Sequence, residues 1–328
     1  MFILGVGSAC PDTVLSDADL ASLGLTLSAE EQHFIDRSGV VSRRISLPLP
    51  YITETHNADV VAGRSNALIS PSALAVRAVH QALIRAGISL EQVGLLLADT
   101  STPDQTCPSE AQRIGGLLGV KIPAYDVVAG AGTLSHYIEM LSSWKPERVP
   151  DYVLCVSTNT PSQHVDYAGA ALPAYLFGDA AFAMVLSVKH AGRARVQAAF
   201  LQRGLRGPAA VVVEKHVSID PQQLPSKAEL KEQIVAGLES LAKQSEFVAA
   251  TTALIGPQLF SAEISAFAPE LGIPEAHILS GSRDTGYAMA ASSGAALSLV
   301  WDSLLPERAV AILHSGDGLF SGSLLVVS

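Results

Sequence analysis

One block of sequence occurs twice in this chain, and that repeat narrows the folds open to it more than any other feature. In the first half, Tyr125-Asp126-Val127-Val128-Ala129 runs into the small residues Gly130-Ala131-Gly132-Thr133. An apolar helical pattern follows over 134–141, then the strand-like Val153-Leu154-Cys155-Val156-Ser157, then Phe177-Gly178-Asp179 and an apolar run over 181–188. In the second half, His277-Ile278-Leu279-Ser280 leads to Gly286-Tyr287-Ala288-Met289 and a small-residue helical stretch over 290–300. The strand-like Ala309-Val310-Ala311-Ile312-Leu313, the turn Ser315-Gly316-Asp317-Gly318 and an apolar run over 321–327 complete it. Strand, helix, strand, Gly-Asp turn, strand: the order is the same both times. The repeat predicts a mixed α/β sheet duplicated about a pseudo-twofold axis, with any reaction site between the halves.

Apolar residues make up 48% of the 328 positions and charged ones 16%, ample for a large buried core. Mean hydropathy is high, at +0.33. No apolar run reaches the roughly 20 residues needed to cross a bilayer, so no membrane span is expected. The surplus is assigned to buried strands and a subunit interface. A net charge of −10 argues against nucleic acid, whose phosphates need clustered Lys and Arg. The three cysteines, Cys10, Cys107 and Cys155, are odd in number and far apart, which fits neither a disulfide framework nor a zinc site. Met1-Phe2-Ile3-Leu4-Gly5-Val6-Gly7 has no basic flank and too short an apolar stretch for a signal peptide; it reads as a first strand and a glycine turn. A cytoplasmic location is expected.

Helical patterns occupy 17–23 and 29–37, and 45–66 reads as a loop or cap. Residues 72–86 form an amphipathic helix bounded by Pro71 and Gly87. The nearly all-apolar 93–98 suits a parallel strand covered on both faces. A further helix is expected over 109–118 and another over 228–244. The patterning is weakest over 190–225, with one strand-like stretch at 209–213. The expected division is an N-terminal half over 1–190, a linker or cap over 191–225, and a C-terminal half over 226–328.

Five motifs then fall in a telling order. They are Phe34-Ile35-Asp36-Arg37-Ser38-Gly39-Val40 with Arg43-Arg44; Ser72-Ala73-Leu74-Ala75 with Ala82-Leu83 and Ala86-Gly87; and Thr102-Pro103-Asp104 with Pro108-Ser109 and Leu118-Gly119. Phe177-Gly178-Asp179-Ala180-Ala181 and Gly318-Leu319-Phe320-Ser321-Gly322-Ser323 follow. Together they resemble the ketoacyl-ACP synthase III branch of the thiolase superfamily, over nearly the whole chain. The resemblance implies a duplicated five-layer αβαβα architecture, usually a homodimer, in fatty-acid or polyketide metabolism. It implies no resident cofactor and no metal; the ligands would be acyl groups on coenzyme A or on the phosphopantetheine of an acyl carrier protein. Enzymes of that family load an acyl group on a cysteine and condense it with a malonyl thioester. Such chemistry needs a thiolate, backbone donors for the oxyanion, and a His/Asn pair for the enolate.

At those three positions the resemblance fails. The nucleophile's place in the motif that begins Tyr125-Asp126 holds Ala131. The family's Ile-Pro-His-Gln reads Ile255-Gly256-Pro257-Gln258 here, with Pro257 in the histidine slot, and Tyr287 stands where the asparagine belongs. One missing acid–base group costs about a hundred- to ten-thousand-fold in rate, and losing the nucleophile removes the covalent route. The expectation is therefore a protein that has lost the condensing triad. It would bind acyl thioester or acyl carrier protein, or act as a non-catalytic subunit, as a homodimer or as a heterodimer with an active ketosynthase.

The alternative is a divergent acyltransferase with His314 as base. The resemblance sets His314 where thiolases carry a base cysteine, and an imidazole can act near neutral pH; Asp317 would orient it. A histidine bonded locally at a strand end is the other reading. The resemblance also places Arg37 and His33 at a coenzyme entrance and Cys107 in a partner's acyl pocket, although a plain buried cysteine fits Cys107 as well. Ser135 and His136, adjacent on a helix, point too far apart to pair. Thr133 lies close to the turn but has no visible base.

Overall fold

The computed structural model of the chain describes residues 1–203, 211–245, 247–316 and 319–328. Strand β1 (Phe2–Ala9) runs past the expected turn, so Gly5 and Gly7 lie inside it. A Cβ on Gly5 would stand 2.4 Å from the Ala82 carbonyl oxygen, and one on Gly7 2.1 Å from that of Ala78. The two glycines are there to let a helix lie directly on the strand.

A short ribbon of β2 (Thr13–Leu15) and β3 (Arg43–Ile45) encloses α1 (Asp17–Ser22) and α2 (Ala29–Ser38). Ser16 and Ser28 cap these helices in reciprocal capping boxes with Asp19 and Glu31. The stretch expected to be a loop or cap holds α3 (Leu49–Thr55) and α4 (Val60–Asn66). Each is two turns or less, too short to display a helical period. The first half continues with α5 (Pro71–Ala86), β4 (Val93–Asp99), α6 (Glu110–Leu118), β5 (Ala124–Asp126), α7 (Thr133–Ser143), β6 (Tyr152–Asn159), α8 (Ala171–Leu176) and β7 (Ala180–Ser187). The second comprises β8 (Ala194–Arg203), a ribbon of β9 (Val211–Val213) and β10 (Val217–Ile219), α9 (Lys227–Ala242), β11 (Ala253–Ile255), α10 (Ser261–Phe267), α11 (Ala290–Val300), β12 (Ala309–Gly316) and β13 (Leu319–Val327).

The main sheet has the order β11-β12-β13-β8-β1-β7-β6-β4-β5. Outward from the β1–β8 seam the halves repeat. Antiparallel β1–β7 and β7–β6 lead to parallel β6–β4 and β4–β5; antiparallel β8–β13 and β13–β12 lead to parallel β12–β11. Where β5 stands in the first half, the second has only the parallel bridge Leu254–Ile278, so the strand expected at 277–280 shrinks to one contact. The seam itself is two residue pairs, Phe2–Arg195 and Ile3–Ala194.

Helices complete five layers. α5 and α6 cover the outer face of the first half-sheet, in a core that includes Leu74, Ala78 and Ile114 of the helices and Leu154 of β6. α7 and α11 lie between the half-sheets, in a core that includes Leu134, Ile138, Leu297, Val310 and Ile312. α9 and α10 cover the far side. Because both faces of α11 are covered, its residues 290–298 are small or apolar and buried.

Within the segment 191–225, expected as a linker or cap, lies β8. This ten-residue strand pairs along β13 and joins the halves. Arg195 and Gln202 are exposed while Ala194, Ala198 and Phe200 are buried, and the polar residues dilute the apolar signal. Of the strand-like 209–213, residues 211–213 form β9; 209 and 210 lie outside the described residues. Among the described residues no single helix is long and apolar enough to cross a membrane.

Candidate functional site

Two turns deliver the chain into the buried helices α7 and α11, and the site lies between them. Before α7, Gly130 takes φ 55° and opens a tight turn through Gly132. Asp99, at the end of β4, anchors that turn. One carboxylate oxygen accepts from the Thr133 hydroxyl at 2.8 Å and from the Ala129 N–H at 3.3 Å; the other accepts from the Ser157 hydroxyl at 3.2 Å. Burial pushes the Asp99 carboxyl up to about 6 against the pull of these hydrogen bonds. Thr133 thus has a carboxylate neighbour that the sequence did not reveal. Ser135 accepts a hydrogen bond from Ser323 at 3.0 Å, so it is engaged away from His136.

Before α11, the Tyr287 N–H donates to the Leu176 carbonyl at 2.9 Å, and the Gly178 N–H donates to the Tyr287 carbonyl at 3.3 Å. A Cβ on Gly178 would stand 1.8 Å from the Thr285 carbonyl oxygen, and Gly286 has φ 80°. The Phe-Gly-Asp motif is in this way a crossing point for segment 285–287. Its Asp179 accepts hydrogen bonds from Ser46 and Ser162, which pins the N-terminal excursion to the sheet. Met289, the residue that enters α11, has φ 52° and ψ −130°, a strained conformation for a side chain other than glycine.

Ala131, Pro257 and Tyr287, the three positions singled out in the sequence, line one cleft together with His314. Met289 and Ser293 from α11 also line it. The volume is about 20 Å³, room for about one water molecule. Its described lining contains no Lys, Arg, Asp or Glu and none of the three cysteines. Gln258 fixes the floor, donating to the Gly256 carbonyl at 3.0 Å and accepting from the Gly281 N–H at 2.7 Å.

His314 lies near the end of β12 and is 2% exposed. Its Nδ1 is 3.3 Å from the Ser293 hydroxyl oxygen. Its Nε2 is buried with no hydrogen-bond partner among the described residues. Burial lowers its pKa to about 4, which leaves the ring neutral at pH 7. Asp317, the orienting partner expected from sequence, lies outside the described residues, as does Gly318.

The remaining sequence candidates lie elsewhere. Arg37 does not offer a free head group: it donates to Glu263 at 3.0 and 2.8 Å and to the Pro225 carbonyl at 2.7 Å, with its guanidinium 5.0 Å from the centre of the Phe260 ring. Phe260 lines the cleft, so Arg37 braces its wall. His33 is exposed on α2, one turn before Arg37. Cys107 is exposed and Cys155 is buried, its thiol pushed up by burial. Sequence reasoning missed Ser293 and Glu263. A serine inside a small-residue helix carries no local signal, and Glu263 finds its partner 226 positions away.

No family model matches the chain. Over 191 residues it is 28% identical to the beta-ketoacyl-acyl-carrier-protein synthase III of Rhizorhabdus wittichii, covering 58% of this chain and 53% of that protein. The chain thus spans about half the length of the curated relatives it matches. The solved 3-oxoacyl-acyl-carrier-protein synthase III of Aquifex aeolicus superposes with a TM-score of 0.82 at 20% identity over 99% of both chains. That of Pseudomonas aeruginosa gives 0.77 at 25% identity over 99% of this chain and 97% of the other. The fold is that of a ketoacyl-ACP synthase III. The thiolase-like, duplicated α/β architecture expected from the motifs is therefore the one present, and the chain is a ketoacyl synthase III-like protein.

Proposed function

We propose that this ketoacyl synthase III-like protein does not perform cysteine-dependent condensation and that it engages acyl thioesters or acyl carrier protein without covalent loading. The supporting observation is the joint lining of one cleft by Ala131, Pro257 and Tyr287 beside the start of buried α7. A methyl group cannot attack a thioester, and proline has no N–H to steady an enolate. His314 is a weak substitute base, because nothing described beside it stabilises an imidazolium. The test is intact-protein mass spectrometry after incubation with acetyl-CoA, longer acyl-CoAs and acyl carrier thioesters. The expected result is reversible binding with no added mass, and Ala131→Cys acquiring one acyl group. A covalent acyl adduct on the native chain would overturn the proposal.

In this reading the acyl group arrives on coenzyme A or on an acyl carrier protein in the cytoplasm, with no resident cofactor. The assembly is a dimer, with a second copy or with an active ketosynthase. Edge strand β5 supports that arrangement, since Tyr125 is 57% exposed and Val128, just beyond it, 59%.

A further inference from the structure

We infer that a second pocket, at the far end of α11, binds a small carboxylate with a short aliphatic tail, and that Arg308 holds the head group. It is independent of what the first cleft binds. α11 starts beside Met289, which lines that cleft, and ends at Val300, which lines this pocket. At about 1.5 Å per residue the helix sets the two about 15 Å apart. The pocket has a volume of about 300 Å³, at the lower end of the range for small-molecule sites. Two features of its walls fix the class of ligand. The first is an apolar floor of Ala253 at the start of β11, Leu279, Val300 and Leu304. Leu305 continues it and is 72% exposed, surface that an aliphatic tail would take out of water. The second is a cationic side: Arg308 and His277 line the pocket, and no described Asp or Glu does. Arg308 makes no ion pair among the described residues. Burial, and after it the nearby Arg308 charge, hold the His277 pKa below its ordinary value. A carboxylate beside both side chains would reverse that push, and a guanidinium takes a carboxylate through two parallel hydrogen bonds. The walls are held by backbone contacts of their own. The Leu279 N–H donates to the Leu254 carbonyl at 2.9 Å, and the Arg308 carbonyl accepts from the Val327 N–H at 3.0 Å. An inorganic anion would leave the floor wet and an alcohol would leave the cation unmet; a fatty carboxylate satisfies both.

The test is an NMR titration of the native protein with hexanoate, with hexanol, acetate and inorganic phosphate as comparisons. Hexanoate should bind about tenfold or more tighter than each of the three. The His277 ring resonances should shift on binding while those of His314 stay in place. Arg308→Gln should weaken hexanoate about tenfold and leave hexanol unchanged. Leu305→Glu, which sets a like charge at an exposed position, should weaken hexanoate as well without touching the core. Equal affinity for hexanol would mean apolar surface alone, and equal affinity for acetate or phosphate would mean charge alone; either overturns the inference. So does full hexanoate affinity in Arg308→Gln, binding that moves His314 and not His277, or no binding of hexanoate. None of these outcomes bears on the acyl-thioester reading, which stands or falls on the mass spectrometry of acyl adducts.

Discussion

The polar groups behind the two helix-entering turns are built on one plan and finished differently. The sixth residue of β6 is Ser157 and the sixth of β12 is His314. Both strands stand at the same remove from the central seam. In the first half, Ser157 joins Asp99 in a network that meets the Thr133 hydroxyl and the Ala129 N–H. In the second, His314 meets Ser293 with one nitrogen and nothing described with the other. A closed network holds a turn in place. An open one leaves a buried polar atom with no partner among the described residues.

That contrast can be broken by substitution. The largest effect is expected at the second turn, where Gly286→Ala would put a methyl group 2.6 Å from the Gly178 nitrogen at φ 80°. Urea denaturation should show a loss of about 4 kcal/mol. Next, Asp99→Ala should cost about 3 kcal/mol, because it strands the partners on Thr133, Ala129 and Ser157. A loss below about 1 kcal/mol would mean that the Asp99 network does not anchor the turn.

The two buried groups should also respond to acid in opposite directions. The folded pKa of His314, about 4, lies below its ordinary 6.5, so its contribution is present above 6.5 and is lost as pH falls through 4. Asp99 is raised from 3.8 to about 6, so its contribution is present below 3.8 and is lost as pH rises through 6. Each amounts to about 3 kcal/mol. Stability measured from pH 4 to 7 should show Asp99→Asn gaining on the native protein as pH rises and His314→Gln losing ground. Parallel curves would remove the contrast. The smallest effect is that of His314→Gln at pH 7.5, within about 1 kcal/mol, since only the Ser293 contact changes.

Much of the frame was legible because it is periodic or punctuated. Pro71 and Gly87 bracket α5 as their backbone preferences require, and the all-apolar run of β4 signals a strand covered on both faces. The duplicated block foreshadowed the order of strands in each half-sheet. What escaped was whatever depends on distant partners. β8 hides behind Arg195 and Gln202, and α3 and α4 are too short for a period. Arg37 looked available until Glu263 and Pro225 met it. The site was half visible. The identities Ala131, Pro257 and Tyr287 are readable one letter at a time, whereas the Ser293–His314 contact exists only after α11 and β12 pack.

The position of β13 has a consequence for synthesis. It lies between β12 and β8, so the second half-sheet stays open along two edges until residues 319–327 have emerged. The first half-sheet has all five of its strands by Ser187 and can close while translation continues. The nascent chain therefore passes through a stage with one finished half beside exposed apolar strands, when chaperone binding and aggregation compete.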